Sequence, residues 1–432
     1  MRKEKIIRST IILVIGGFIT KILGMFIRIV MTRLIGLEGM SLYMLVYPTF
    51  SLFMTLSQLS FPVSISKLVS ENRHNNLRLV TTTIPFSLIL NLFLMVVIFI
   101  VAKPIAIYLL NDERCILPIL AIALVLPFDS LSNLLRGYFF GKERMFPHVV
   151  SHIFEQIVRL SLIVLLIPSL LKINLIYAVS FLVLVNLVSE ALSIFILFLF
   201  MPKNIVVQKE DFKPNRQNLK EVLSISIPTT GSRLLGNIGM FLEPILFTSS
   251  LLLVGFSKDW IQAEYATITG YVFPILLLPG FFTGAISSAI LPELTRSYVE
   301  KDNARFRRKL RLGCKLSLLI GIPMTCIYLV APEFLLQTFY HTTLGSEYLR
   351  ILAPFFLLYY LESPFSSALQ AMNKSKNIMV DNFFGIVFKS LAIFLLTFCH
   401  LGTYSFLIGS ILSLVVITSR HFLTIKKEVF SK

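Results

Sequence analysis

Residues 16–36 of the chain read GGFITKILGMFIRIVMTRLIG, an apolar stretch about as long as a membrane-spanning helix. The stretch carries Lys21 and Arg28 in its interior and Arg33 near its end. A cation at the centre of a bilayer helix costs about 2.5–3.5 kcal/mol on insertion scales, so such a residue normally faces a watery cavity or an acidic partner. The stretch therefore predicts a membrane helix whose charges have a structural or functional reason.

Similar apolar segments recur along the whole chain. Of its 432 residues 56% are hydrophobic and only 15% are charged, which is not the composition of a soluble domain. We predict an all-α polytopic membrane protein and interpret the first segment as a retained helix, because it is too long for a signal peptide. The twelve predicted transmembrane helices lie at about 8–32, 41–66, 80–102, 115–137, 147–168, 174–200, 219–250, 262–292, 313–332, 349–371, 378–400 and 402–424.

The basic residues indicate the orientation of these helices. With the N-terminus in the cytoplasm, 29 of the 40 Lys and Arg residues fall in cytoplasmic segments, Arg136 among them, and six fall in the opposite loops. Cytoplasmic loops are the ones enriched in Lys and Arg, so we predict a bacterial cytoplasmic membrane protein with both termini inside. The net charge of +17, to which RFRRKLR at 305–311 contributes, is then explained by membrane topology and attraction to lipid headgroups rather than by nucleic-acid binding.

An internal repeat divides the chain into two halves. ILAIALVLPFDSLSNLLRGYFFGK at 119–142 aligns with ILAPFFLLYYLESPFSSALQAMNK at 351–374, and residues 46–71 align with 272–297 at a similar offset. Two halves with an even number of spans enter the membrane from the same side, so a pseudo-two-fold axis along the membrane normal is predicted. The predicted organisation is a six-helix N-terminal lobe at 1–200, a cytoplasmic linker at 201–218 and a six-helix C-terminal lobe at 219–432.

The cations inside the spans are candidates for binding an anion. Lys21 and Arg28 are seven residues apart, which returns to within about 20° of the same helix face. Arg33 extends this stripe or reaches the headgroups at the outer boundary. Arg233 lies in helix 7, the first helix of the second half, where it mirrors the helix 1 cations; the glycines around it are typical of close helix packing.

The acids inside the spans are candidates for pairing with these cations or for coupling transport to an ion. They are Asp129, Glu155, Glu190, Glu243 and Glu362. We expect Arg159 to pair with Glu155, because four residues is one helical turn.

Cofactor sites are not expected. The four cysteines are scattered singly with no histidine at metal-ligand spacing, so neither a metal site nor a disulfide is predicted. The chain has no GxxxxGK[ST] phosphate loop. Any energy for transport must then come from an ion gradient, the membrane potential or the substrate gradient.

Three segments carry a resemblance to a known family. They are STIILVIGGFITKILGMFIRIVMTRLIG at 9–36, EGMSLYMLVYPTFSLFMTLSQLSFPVSISKLVSE at 38–71 and LLRGYFFGKERM at 134–145. They resemble the polysaccharide biosynthesis and stage V sporulation protein B-like branch of the multidrug/oligosaccharidyl-lipid/polysaccharide exporter superfamily, which also contains the MurJ-type lipid II flippases. The resemblance implies two six-helix lobes around a central cavity that opens alternately to each side of the membrane.

The resemblance also implies an activity and a site. Members of this branch move a polyprenyl-diphosphate-linked saccharide, such as lipid II or a polysaccharide precursor, to the outer leaflet during spore cortex or cell-envelope synthesis. Basic cavity residues in the lipid II flippases nominate Lys21 and Arg28 for the diphosphate, followed by Arg33 and, by its position in the second half, Arg233. Many members have two further C-terminal helices that form a groove for the lipid tail, whereas this chain ends at about helix 12. The sugar headgroup stays open.

Other functions make different demands on the sequence. A cation-coupled multidrug antiporter of the same superfamily would use the five acids, although the helix 1 cations would repel a cationic drug. A membrane enzyme would need paired acids or a metal cluster in a loop, so we predict a transporter rather than an enzyme. A scaffold for spore-envelope assembly would tolerate loss of the cavity cations.

The expected partners are the anionic lipid-linked saccharide, membrane lipids and envelope-synthesis enzymes, with no nucleic acid, and the expected state is a monomer.

Overall fold

The computed structural model describes residues 2–71, 76–201 and 215–430, which form fifteen α-helices and no strand within these ranges. Short π-helical segments at Ile105–Leu109, Thr267–Val272 and Lys426–Phe430 continue helices. The α-helices are α1 Arg2–Gln58, α2 Phe61–Glu71, α3 Asn76–Pro104, α4 Ile116–Gly141, α5 Met145–Leu171, α6 Leu175–Leu199, α7 Arg216–Leu253, α8 Lys258–Ala266, α9 Phe273–Leu276, α10 Leu278–Val299, α11 Asn303–Val330, α12 Pro332–Tyr340, α13 Ser346–Ala371, α14 Ser375–Thr397 and α15 Tyr404–Ile425.

Helix α1 contains the first two predicted spans, divided at Gly36. This residue has φ 65° and ψ −168°, a backbone conformation that is essentially restricted to glycine, and it separates a first arm at 2–35 from a second arm at 37–58. The second predicted span, 41–66, is itself interrupted, because Leu59 and Ser60 have positive φ and the helix begins again as α2 at Phe61.

The described helices confirm an all-α polytopic membrane protein. Eight of them are long and apolar enough to cross a membrane, and the segments 258–276 and 278–299, bent by 44°, add a ninth if they form one span. The two arms of α1 and helix α13 are also longer than the roughly 20 residues that a crossing needs. The described helices are therefore consistent with the twelve predicted spans.

The chain divides into two compact units, Met1–Phe241 and Leu242–Lys432. The boundary between these compact units falls within α7, because hydrogen bonds join the first half of α7 to the rest of the N-terminal unit. Ser226 shares one with Ser64 at 2.7 Å, and the Asn237 side-chain amide donates to Thr55 Oγ1 at 2.7 Å. Most of the predicted linker, residues 202–214, lies outside the described residues, so the lobe limits and the symmetry axis stay predictions.

Each unit has its own apolar core, built from the segments that form the internal repeat. In the N-terminal unit α2 packs on α4, and Gly141 allows this approach because a Cβ there would lie 2.7 Å from the Ser66 carbonyl oxygen. In the C-terminal unit α10 packs on α13, with Leu294 and Leu369 buried in the shared core. The aligned segments 46–71 and 119–142 thus meet within one unit and 272–297 and 351–374 meet within the other, as a duplicated arrangement requires.

Candidate functional site

Helices α4, α5 and α6 bring three charged side chains together inside the N-terminal unit. Arg136 Nη2 lies 2.6 Å from Glu155 Oε2 and 3.2 Å from Glu190 Oε2, and it donates a hydrogen bond to Ser193 Oγ at 2.8 Å. Arg136 is only 4% exposed and Glu155 only 2%. Helix α4 continues to Gly141, so this side chain lies among buried acids rather than in an exposed loop, and its count toward the orientation stays a prediction.

Glu155 has two further partners on its own helix. Arg159 Nη2 lies 2.6 Å from Glu155 Oε1, so the ion pair expected from the four-residue spacing is present. His152 Nδ1 lies 3.2 Å from Glu155 Oε2. Two arginines therefore balance Glu155 and Glu190, an arrangement that ties three helices together and favours structural pairing over ion coupling for these acids.

Asp129 is held by amides rather than by a cation. It accepts hydrogen bonds from Gln58 Nε2 at 2.8 Å and from Asn133 Nδ2 at 3.0 Å, and it is 4% exposed. Gln58 is the last residue of α1, so this contact joins the second arm of α1 to α4.

Glu243 is paired with a lysine inside the C-terminal unit. Lys389 Nζ lies 2.6 Å from Glu243 Oε2, 4.4 Å from the centroid of the Phe406 ring and 5.6 Å from that of Phe273. The ammonium group thus has an acid and the faces of two aromatic rings around it. The sequence identifies both charges, but not a pairing across 146 residues.

Glu362 differs from the other four acids. Among the described residues its carboxylate has no ion pair and no hydrogen bond, and it lines a cavity of about 360 Å³ in the C-terminal unit. The remaining lining residues come from α10 and α13 and are Gly284, Ser287, Ser288, Leu291, Tyr359, Ser363, Ser366, Ser367 and Gln370. Sequence reasoning found the acid but missed the hydroxyl groups around it, although ESPFSS at 362–367 shows three serines next to it.

The helix 1 cations lie on the first arm of α1. Lys21 and Arg33 are exposed, while Arg28 is half-buried and donates to the sulfur of Met44 at 3.6 Å. The binding role of all three stays a proposal.

Arg233 is exposed on the first half of α7. A Cβ at Gly231 or at Gly236 would meet no atom of the described residues within 4 Å, so these two glycines do not show the expected close packing there. Arg233 lies in the N-terminal compact unit.

The described residues contain no group of three or more His, Cys, Asp or Glu side chains that could hold a metal ion. What the structure does show is a helical membrane protein with two compact units, charges neutralised in pairs inside its spans and basic side chains exposed on its first helix. This combination defines a polytopic membrane protein rather than a soluble binding protein.

Comparison with known families makes the class more specific. Residues 6–298 match the family model described as "Polysaccharide biosynthesis protein", and residues 239–395 match the MatE model. The chain belongs to the polysaccharide biosynthesis protein family, because the first match covers more than half of it. The superfamily resemblance drawn from residues 9–36, 38–71 and 134–145 is confirmed.

Curated relatives are similar over most of their length. The chain is 32% identical to Stage V sporulation protein B of Bacillus subtilis (strain 168), an alignment that covers 99% of this chain and 85% of the relative. It is 24% identical to Sporulation protein YkvU of the same organism, over 99% and 96% of the two chains. It is 23% identical to the Lipid II flippase MurJ of that organism, over 89% of this chain and 76% of the relative.

Solved structures share the fold at lower identity. An inward-facing multidrug resistance MATE family transporter of the MOP superfamily superposes with a TM-score of 0.75 and 17% identity, covering 95% of both chains. A MOP superfamily transporter from Pyrococcus furiosus, described by the reverse polarity of its binding pocket, gives a TM-score of 0.65 and 16% identity, covering 99% of this chain and 96% of the other. These similarities confirm the transporter fold.

Proposed function

We propose that this protein is a flippase that moves a polyprenyl-diphosphate-linked saccharide, either lipid II or a polysaccharide precursor, from the inner to the outer leaflet of a bacterial cytoplasmic membrane. The observation that carries the proposal is similarity over most of the chain to Stage V sporulation protein B and to a lipid II flippase. Transport would proceed by alternating access and would serve spore cortex or cell-envelope polysaccharide synthesis.

The charge distribution supports an anionic substrate. A diphosphate carries dense negative charge that has to be compensated when it leaves water, and arginine binds phosphate oxygens in a bidentate fork. Lys21 and Arg28 supply positive charge within a membrane-length arm of α1, and Arg33 and Arg233 are exposed cations in the same compact unit. The polyprenyl tail need not cross with the headgroup and stays in lipid.

The acids support this choice over the rival function. A cation-coupled multidrug antiporter would need ionisable acids that are available to its cargo, and the match of residues 239–395 to the MatE model keeps this as the second candidate. Four of the five acids already have partners: Asp129 has amides, Glu155 and Glu190 have arginines, and Glu243 has a lysine. Only Glu362 would serve an antiporter without breaking an existing contact.

We further propose an orientation of the protein in the membrane, its partners and an energy source for transport. Both termini lie in the cytoplasm, and the protein acts as a monomer on the anionic lipid-linked saccharide among membrane lipids, next to envelope-synthesis enzymes and without nucleic acid. Transport draws on an ion gradient or the membrane potential and uses no bound cofactor.

Charge reversal on helix 1 tests the function. In cells that depend on this protein, the double variant Lys21→Glu and Arg28→Glu should express normally but export at least about tenfold less precursor, because charge-assisted hydrogen bonds to the diphosphate are lost. The measurement is the amount of lipid-linked precursor that accumulates on the cytoplasmic leaflet. Lys103→Glu, which reverses an exposed cation near the end of α3, is the matched control and should export normally.

Two results would reject the proposal. Normal export by a well-expressed double variant would show that these cations do not bind the diphosphate. Depletion of the protein without precursor accumulation, accompanied by sensitivity to cationic drugs, would identify the antiporter instead.

A further inference from the structure

The cavity around Glu362 contains more hydrogen-bonding groups than its own contacts use. Ser288 donates to the Gly284 carbonyl oxygen at 2.9 Å, and Ser367 donates to the Ser287 carbonyl oxygen at 3.1 Å. Ser363 Oγ accepts a weak hydrogen bond from Thr283 at 3.4 Å. These bonds fix part of the lining and leave the rest available.

Three lining groups lack partners among the described residues. Ser287 is 4% exposed and its hydroxyl oxygen is buried without a hydrogen bond. The Glu362 carboxylate and the Ser366 hydroxyl lie in the same wall, also without a partner there. A buried polar group is normally hydrogen-bonded, so the buried Ser287 hydroxyl, beside the partly exposed Glu362 and Ser366 in the same wall, indicates a ligand that supplies the missing bond.

The size and chemistry of the cavity narrow the ligand class. Its volume of about 360 Å³ falls at the lower end of small-molecule pockets, which run from about 300 to 1,000 Å³. A bare metal cation would instead require several oxygens converging within about 2.3–2.6 Å of one point. A carboxylate accepts hydrogen bonds, whereas serine hydroxyls and the Gln370 amide both donate and accept them. Neighbouring hydroxyl groups on a sugar ring can form hydrogen bonds with these groups. The Tyr359 ring supplies an apolar surface for the ring of the sugar.

We propose that this cavity binds the saccharide part of the lipid-linked substrate. Glu362 accepts hydrogen bonds from sugar hydroxyls, while Ser287 and Ser366 exchange hydrogen bonds with the same ring. This inference rests on the proposed flippase function and adds a sugar-recognition role for the cavity of the C-terminal unit.

Two lipid probes distinguish binding of the sugar from binding of the diphosphate. Purified full-length protein in lipid nanodiscs is titrated with lipid II and, separately, with undecaprenyl diphosphate, which lacks the sugars. The wild type should bind lipid II more tightly. Glu362→Gln should weaken lipid II binding about tenfold, because hydrogen bonds to a charged group are lost, and should leave undecaprenyl diphosphate binding unchanged.

Matched variants check the specificity of this effect. Ser366→Ala, which removes one neutral hydroxyl, should weaken lipid II binding about threefold and serves as the second test if Glu362→Gln is unstable. Glu300→Gln removes an exposed carboxylate at the end of α10 and should change neither affinity. Size-exclusion chromatography and thermal unfolding establish that each variant is folded.

The outcomes distinguish this inference from the function on which it rests. If the wild type binds and flips lipid II but the cavity variants weaken both lipids equally, or neither, the saccharide site is wrong while the flippase function stands. Loss of sodium or proton dependence in Glu362→Gln with an unchanged preference for lipid II would also overturn it, in favour of a cation site. A wild type that binds neither lipid would reject both proposals.

Discussion

Arg136 is a cation with a structural role, in contrast to the cations that we propose bind the substrate. It is buried between Glu155 and Glu190, and its removal would leave two acids facing each other with less compensation. Breaking a buried ion pair by deleting one partner typically costs about 3–5 kcal/mol, because an uncompensated charge stays in a low-dielectric site. Lys21, Arg28 and Arg33 of α1 differ from it in being exposed or half-buried.

We therefore expect Arg136→Met to destabilise the protein by about 3–5 kcal/mol, through loss of compensation for Glu155 and Glu190. The measurement is thermal unfolding of the purified protein in detergent. Arg296→Met removes one partner of an exposed ion pair with Glu300 and should cost no more than about 1 kcal/mol. Equal effects of the two variants would show that the buried network does not stabilise the fold.

The sequence predicted the ion pair within one helix but not the ion pairs between different helices. Arg159 and Glu155 are one turn apart, so helix geometry alone brings them together. The pairing of Glu243 with Lys389, and of Arg136 with two acids on other helices, depends on how helices pack. No spacing rule within a single helix contains that information.

Helix α1 shows how one residue determines the shape of an element. Its two membrane-length arms meet at Gly36, whose side-chain position is open, since a Cβ there would meet no atom of the described part of the chain within 4 Å. A substitution at this position therefore acts through backbone strain alone. The sequence predicted a break between residues 32 and 41, but did not predict the second break at Leu59 and Ser60, which are not typical helix breakers.

Two glycines of α1, Gly36 at the junction and Gly24 in the first arm, make a matched test. Gly36→Ala should destabilise the protein by about 1–3 kcal/mol, the cost of forcing a side chain into a glycine-only backbone region. Gly24→Ala should stabilise it by about 0.5–1 kcal/mol, because Gly24 is helical and a Cβ there is also unobstructed. Thermal unfolding in detergent measures both, and a Gly36→Ala variant as stable as the wild type would contradict strain at the junction.

Across the whole molecule, composition and apolar periodicity predict most of the fold. Membrane helices satisfy their own backbone hydrogen bonds, so each span can be read locally from length and hydropathy. The division into compact units is different, because it depends on contacts made by α7. Hydrogen bonds from Ser226 and Asn237 attach the first half of α7 to the N-terminal unit, and such polar contacts carry no local sequence signal.

The membrane orientation of the whole chain can be tested with its native cysteines. If both termini are cytoplasmic, the turn between α14 and α15 lies outside the cell, and Cys399 in that turn is exposed. In a variant that keeps only Cys399, a membrane-impermeant maleimide should label intact cells, because the excess of Lys and Arg holds the opposite turns inside. Asn373→Cys, placed in the turn between α13 and α14 of a cysteine-free background, should react only after the cells are permeabilised. Labelling of residue 373 but not of residue 399 in intact cells would invert the topology and, with it, the direction of the proposed transport.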